Sequence, residues 1–220
     1  MGNRAVITTK ENWKHDGVGI YLHWNGGRDS VEGFLKYCEL KGYRSPSKDC
    51  YGWARLAQVI GNFLGGGLSV GIDTIWHLAR DNGDNGVYII DGWKIEDRYY
   101  FDGREQESYS LEEMLLAIDE SMPEEEQLGE ELLKAEEFEI KDLDIGDTVF
   151  YASYGEKQFS KYQIIAVKVE HDLQGNELRY PVMNCYGSTL EENLNNPNNL
   201  LKRGTYRAIK GGLKDERFKE

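Results

Sequence analysis

Twelve carboxylates fall within residues 112–139: Glu112, Glu113, Asp119, Glu120, Glu124, Glu125, Glu126, Glu130, Glu131, Glu136, Glu137 and Glu139. At this density they repel phosphates, so the stretch is not expected to touch nucleic acid directly. Its chemistry is attraction of a basic surface. Carboxylates along a helix can imitate the charge line of duplex DNA, about one charge per 1.7 Å, and occupy a basic nucleic-acid channel. The plainer reading is a solvated helix face or linker. Like charges at i, i+4 weaken a helix by roughly 0.2–0.5 kcal/mol per pair.

Cys50 is the one nucleophile with a favourable setting. Asp49-Cys50-Tyr51-Gly52-Trp53 places it at a predicted helix start, where the helix dipole lowers a thiol pKa. Asp-Cys-x-Gly is locally similar to NlpC-type peptidases, and papain-like enzymes also start a helix at their cysteine. Those enzymes need a histidine base on a later strand. His77 falls on a predicted helix, His171 in another domain, and His23 precedes the cysteine. A small buried hydrophobe is the competing role for Cys50. A second polar group, His23, Trp24, Asn25, Arg28 and Asp29, clusters at a strand-to-helix junction and forms a candidate secondary surface. A hairpin end whose glycines permit positive φ explains it equally.

Other motifs carry less. Asp81–Gly86 imitates a calcium loop, but Gly83 and Gly92 stand where ligands belong, so a turn is expected. Gly65-Gly66-Gly67 is followed by no Gly-Lys-Ser/Thr and reads as a helix stop. The four histidines form no metal-ligand pattern, and no cofactor or metal is expected. No apolar run reaches the roughly 18 residues of a membrane span, and the first residues lack a signal-peptide core. Three cysteines at irregular spacing point to a reduced, cytoplasmic protein.

The chain has 220 residues and a net charge of −13. Residues 1–104 are neutral, with 13 basic and 13 acidic side chains. Residues 105–147 hold 17 acidic and 2 basic side chains, and residues 148–220 hold 9 and 11. The acidity is therefore one segment. Lys202, Arg203, Arg207, Lys210, Lys214, Arg217 and Lys219 form a modest basic patch that either masks that segment or is a solvated tail.

The elements that must position these groups follow from periodicity. Strands are expected at 4–9 and 18–24, paired as a hairpin across a turn. A helix from Asp29 or Ser30 to Lys41 aligns Val31, Phe34, Leu35 and Cys38. A second helix, Tyr51 to Phe63, is capped by Asp49. A short strand at 69–72 and a helix over 73–79 follow. Strands 87–90 and 94–101 form a hairpin through Asp91-Gly92. Ser110 and Glu113 fit a capping box for a helix to Ser121, and a new helix is expected after Pro123. Beyond Leu143, strands at 148–151, 162–169, 178–185 and 206–209 suggest a small β-barrel, with the asparagine-rich 191–199 as a loop. The expected architecture is α+β: a mixed domain over 1–122, an acidic helical connector over 123–142, and a small all-β, barrel-like domain over 143–220. All five tryptophans precede residue 94, so the two domains have different cores.

Three stretches, Gly2–Ile7, Ile20–Gly27 and Asp49–Arg55, together resemble a family of uncharacterised proteins that accompany prophages and integrative elements in Gram-positive bacteria. The resemblance covers about residues 1–125. It implies an accessory role in anti-defence, regulation or host manipulation, and supplies no catalytic residues. The function expected is non-enzymatic: inhibition of a host nucleic-acid-binding defence protein, such as a CRISPR effector or restriction enzyme, through the acidic segment. The alternatives are a hydrolase using Cys50 and a regulatory or scaffold protein.

Overall fold

The computed structural model describes residues 2–67, 69–101, 103–136, 140–152, 159–184, 188–201 and 205–209. The chain divides into two compact units, Met1–Gly129 and Glu130–Glu220. It is a mixed α+β protein with two sheets and six α-helices among the described residues.

The first unit is built on β1 (Ala5–Thr9), α1 (Lys10–His15), β2 (Val18–Leu22), α2 (Arg28–Leu40), α3 (Cys50–Leu64), β3 (Val70–Thr74), β4 (Val87–Asp91), β5 (Lys94–Tyr99) and α4 (Leu111–Ser121). Its sheet runs in the order β3-β2-β1-β4-β5. The β1/β2 and β4/β5 pairs are antiparallel, as the two expected hairpins require. The β1/β4 pair is parallel, with Val6 opposite Val87 and Thr9 opposite Ile90.

Alternation then sorts the side chains. Val6, Val87 and Ile89 share one face with Ile75, under Trp13, Tyr21 and Leu78. Ala5, Ile7, Ile20, Leu22, Tyr88 and Ile90 point the other way and are fully buried. Helices α2, α3 and α4, which pack on one another, close that face with Phe34, Leu35, Leu56, Ile60, Met114 and Ile118. Close approach decides two glycines. A Cβ on Gly33 would lie 2.3 Å from the Met114 Cγ, and one on Gly52 2.3 Å from the Ser45 carbonyl carbon.

Two local expectations are corrected here. The turn expected between the first strands contains α1, capped by the Thr9 side chain accepting from the Asn12 N–H. The helix expected over 73–79 is absent: Asp73 and Thr74 complete β3, and 75–77 turn. Its intended apolar face is not buried as a helix would need, since Trp76 stays exposed.

The second unit comprises α5 (Glu130–Lys134), β6 (Thr148–Ala152), β7 (Ser160–His171), β8 (Glu177–Met183), α6 (Leu190–Asn195) and β9 (Thr205–Ile209). Its strands lie in the order β8-β7-β6-β9, all neighbours antiparallel. No closed barrel is found among the described residues. The core joins Leu143, Val149, Ile164, Met183, Leu201 and Ala208. The unit is not all-β, because the asparagine-rich loop is largely helical. Thr189 and Glu192 form a capping box at the start of α6, and the buried Asn199 donates to the Asn193 side chain at 2.7 Å. Local polar bonds replace the apolar periodicity that a sequence-based reading relies on.

Candidate functional site

The acidic stretch begins at the capping box of α4. The Ser110 Oγ accepts from the Glu113 N–H at 3.2 Å, and the Glu113 carboxylate accepts from the Ser110 N–H at 2.7 Å. That backbone bond holds the Glu113 carboxyl below its ordinary range. One face of α4 buries Met114, Leu115, Ile118 and also Asp119. Asp119 is only 6% exposed. It accepts from the Tyr37 hydroxyl at 2.6 Å and from the N–H groups of Leu128 and Gly129 at 2.7 and 3.0 Å. Burial, reinforced by that bond, pushes the Tyr37 phenol far up. Asp119 thus fastens the end of the first unit and offers nothing to a partner.

The remaining acids divide between the two units. Glu112, Glu120, Glu124 and Glu125 are exposed on the first. Glu120, Glu124 and Glu125 carry no ion pair among the described residues. Glu126 is half-buried: its carbonyl accepts from the Lys41 ammonium and its carboxylate from the Gln58 amide. Desolvation of Lys41 lowers its pKa, with Glu126 and Asp119 opposing that effect. On the second unit, Glu130 pairs with Lys134 and Glu131 with Lys161. Glu136 is exposed while its backbone exchanges both hydrogen bonds with Ala208. Glu137 and Glu139 lie outside the described residues.

There is accordingly no continuous acidic helix over 123–142. Among the described residues its helical pieces are Glu124–Glu126, Glu130–Lys134 and Ile140–Asp142, the first and last being 3₁₀ turns. Pro123 and Gly129, the latter at φ +84°, interrupt the helix, and runs of like charge do not repair it. Of the C-terminal cations, Arg207 donates to the Ala135 carbonyl within the second unit; the other six lie outside the described residues.

The junction from His23 to Asp29 is mainly a fastening. The Asp29 carboxylate accepts from the N–H groups of Ser30, Ser108 and Tyr109 at 2.7, 2.6 and 3.0 Å. The Tyr88 hydroxyl donates to the Gly26 carbonyl, and a Cβ on Gly27 would strike the Gln106 carbonyl oxygen. Asn25 takes the left-handed conformation and reaches Ser30. Arg28 pairs with Glu32 along α2 at 2.7 Å, a bond that raises its pKa. Nearby, Arg98 stacks on Tyr88 and Phe101 and bonds Asn85 and Glu105. Trp24 remains exposed, with the His23 ring edge-on at 4.9 Å.

Cys50 opens α3 as expected. Asp49 caps the helix by accepting from the Tyr51 and Gly52 N–H groups, and it pairs with Arg44 at 2.7 Å. The thiol is exposed and lines a crevice of about 610 Å3 beyond the ends of β1 and β4. None of the four histidines lines it. His15 pairs with Glu11 and His77 with Asp73. Sequence reasoning missed Lys10, Asp91 and Glu96, which share this crevice. Asp91-Gly92 signals only a turn in the sequence, and nothing local brings it beside Lys10.

Among the described residues no group of three His, Cys, Asp or Glu side chains is placed to hold a metal, and no helix is long and apolar enough to cross a membrane. Compared with protein-family models, curated proteins and solved structures, the chain gives no match.

Proposed function

We propose that this is a non-enzymatic acidic binding protein of a phage or mobile element. It inhibits a host nucleic-acid-binding defence protein, a CRISPR effector or restriction enzyme, by occupying that protein's basic surface in the cytoplasm. The observation that carries this reading is the outward group Glu120, Glu124 and Glu125, exposed and without ion pairs among the described residues. Carboxylates left unneutralised contribute most to long-range attraction of a basic groove. Asp119 ties down the backbone around them, so less conformational entropy is lost when they are bound. The resemblance of residues 1–125 to prophage accessory proteins supplies the setting. The test is DNA cleavage by such an enzyme with wild-type protein or with E120Q, E124Q and E125Q combined. The wild type inhibits and the triple variant inhibits less; equal inhibition rejects this surface.

A hydrolase using Cys50 is the second reading, favoured by the thiol's place in the crevice. It lacks a histidine base there, which thiol activation ordinarily requires. Cys50→Ala separates the two: the inhibitor keeps its activity and the hydrolase loses it.

A further inference from the structure

The parallel pair β1/β4 marks a change of direction in the first sheet. From the carboxyl end of β1 the chain passes through α1 to β2 on one side. From the carboxyl end of β4 it passes through Asp91 and Gly92 to β5 on the other. Diverging exits leave a cleft beyond the strand ends, the topological switch point at which open α/β sheets take ligands. The 610 Å3 crevice lies there, against Thr9 and Lys10 of one exit and Ile90 and Asp91 of the other. Its size suits a small molecule.

We propose that this crevice binds a free amino acid with an apolar side chain. Most charged groups lining it already have a partner: Lys10 pairs with Glu96 at 3.2 Å and Asp49 with Arg44, and the Glu11 carboxylate lies 3.1 Å from the His15 ring nitrogen. Asp49 also takes two N–H groups at the start of α3, so that helix end is not left open to an anion. Asp91 and Lys48 remain, both exposed and both without an ion pair among the described residues. An ammonium against Asp91 and a carboxylate against Lys48 match the two unused charges. Val18 and Trp53, both partly exposed, give the crevice an apolar wall for the side chain.

The test is calorimetric titration with L-leucine, isopentylamine and 4-methylpentanoate. The amine and the acid each keep the apolar body and only one of the two charges. Leucine binds saturably and protects the Cys50 thiol from alkylation, mapped by mass spectrometry. Each single-charge probe binds roughly tenfold more weakly, the size of one charge-assisted hydrogen bond. Asp91→Asn and Lys48→Gln each weaken leucine by a similar factor. Both positions are exposed, so folding is retained, and unchanged thermal unfolding checks this. No saturable binding of leucine, equal binding of isopentylamine, or unchanged affinity in both variants overturns the proposal. The outcome is independent of inhibition through the acidic face, which can fail or hold by itself.

Discussion

Asp119 and Glu120 are neighbours in α4 and opposites in the fold. Asp119 faces inward and accepts three hydrogen bonds, from Tyr37, Leu128 and Gly129. Glu120 faces solvent, as do Glu124 and Glu125. The same carboxylate chemistry, one residue apart, is a structural acceptor on one face and a source of external field on the other. Acid count alone therefore overstates the charge presented to solvent. Only the outward subset is available to a partner.

The largest effect expected from breaking this contrast is on stability. Asp119→Ala leaves a buried hydroxyl and two backbone N–H groups without their acceptor and costs about 3 kcal/mol or more. Glu120→Ala stays within about 0.5 kcal/mol. Urea unfolding of the two variants measures both, and equal midpoints would erase the distinction.

Next in size is packing behind the inner face. Gly52→Ala places a methyl group 2.3 Å from the backbone of Ser45 and Pro46. Backbone cannot rotate away, so the variant loses about 1–3 kcal/mol despite alanine's better helix propensity. Gly33→Ala meets the Met114 Cγ at the same distance, with Cβ at 3.1 Å; relief requires turning a fully buried side chain, which is costly but less so than moving backbone. Reversal of this order in urea unfolding would show that the α2–α4 contact is the tighter one.

Much of this arrangement is legible in the sequence. Asp49 and Ser110 announce their helices because a cap is a local bond. The Val31, Phe34, Leu35 and Cys38 face is legible because burial imposes its period. The parallel pairing of β1 with β4 is not, since no local signal joins residues about 80 apart in the chain. The crevice depends on that pairing and is hidden with it. Asp119 is hidden for a different reason: an acid inside an acidic run looks like its neighbours until Tyr37 is brought to it. The α6 helix escaped because buried asparagines stand where apolar residues give the usual signal.

Alkaline pH gives a smaller, graded effect. Burial raises the Cys38 thiol and the Tyr37 and Tyr88 phenols above their ordinary values. Folded-state values above the unfolded ones mean stability is full below the unfolded pKa and declines as pH rises above it. Loss therefore begins near pH 8.5 through Cys38 and steepens near pH 10 through the tyrosines. Urea midpoints of wild type and Cys38→Ala across this range measure it; only the wild type shows the first step. A wild-type midpoint that does not fall between about pH 8.5 and 10 would contradict it.

The outward acids have the smallest effect on folding. The E120Q, E124Q and E125Q triple variant unfolds within about 0.5 kcal/mol of wild type. Its effect belongs in binding, where the proposed inhibition is tested most directly. DNA cleavage by CRISPR effectors and restriction enzymes of a Gram-positive host is followed with each protein between about 0.05 and 0.2 M salt, over which the Debye length shortens. Wild-type protein inhibits at least one of these enzymes, inhibition fades as salt rises, and the triple variant inhibits less at low salt. Absence of inhibition throughout, or inhibition that is equal for the two proteins and indifferent to salt, would contradict the proposal.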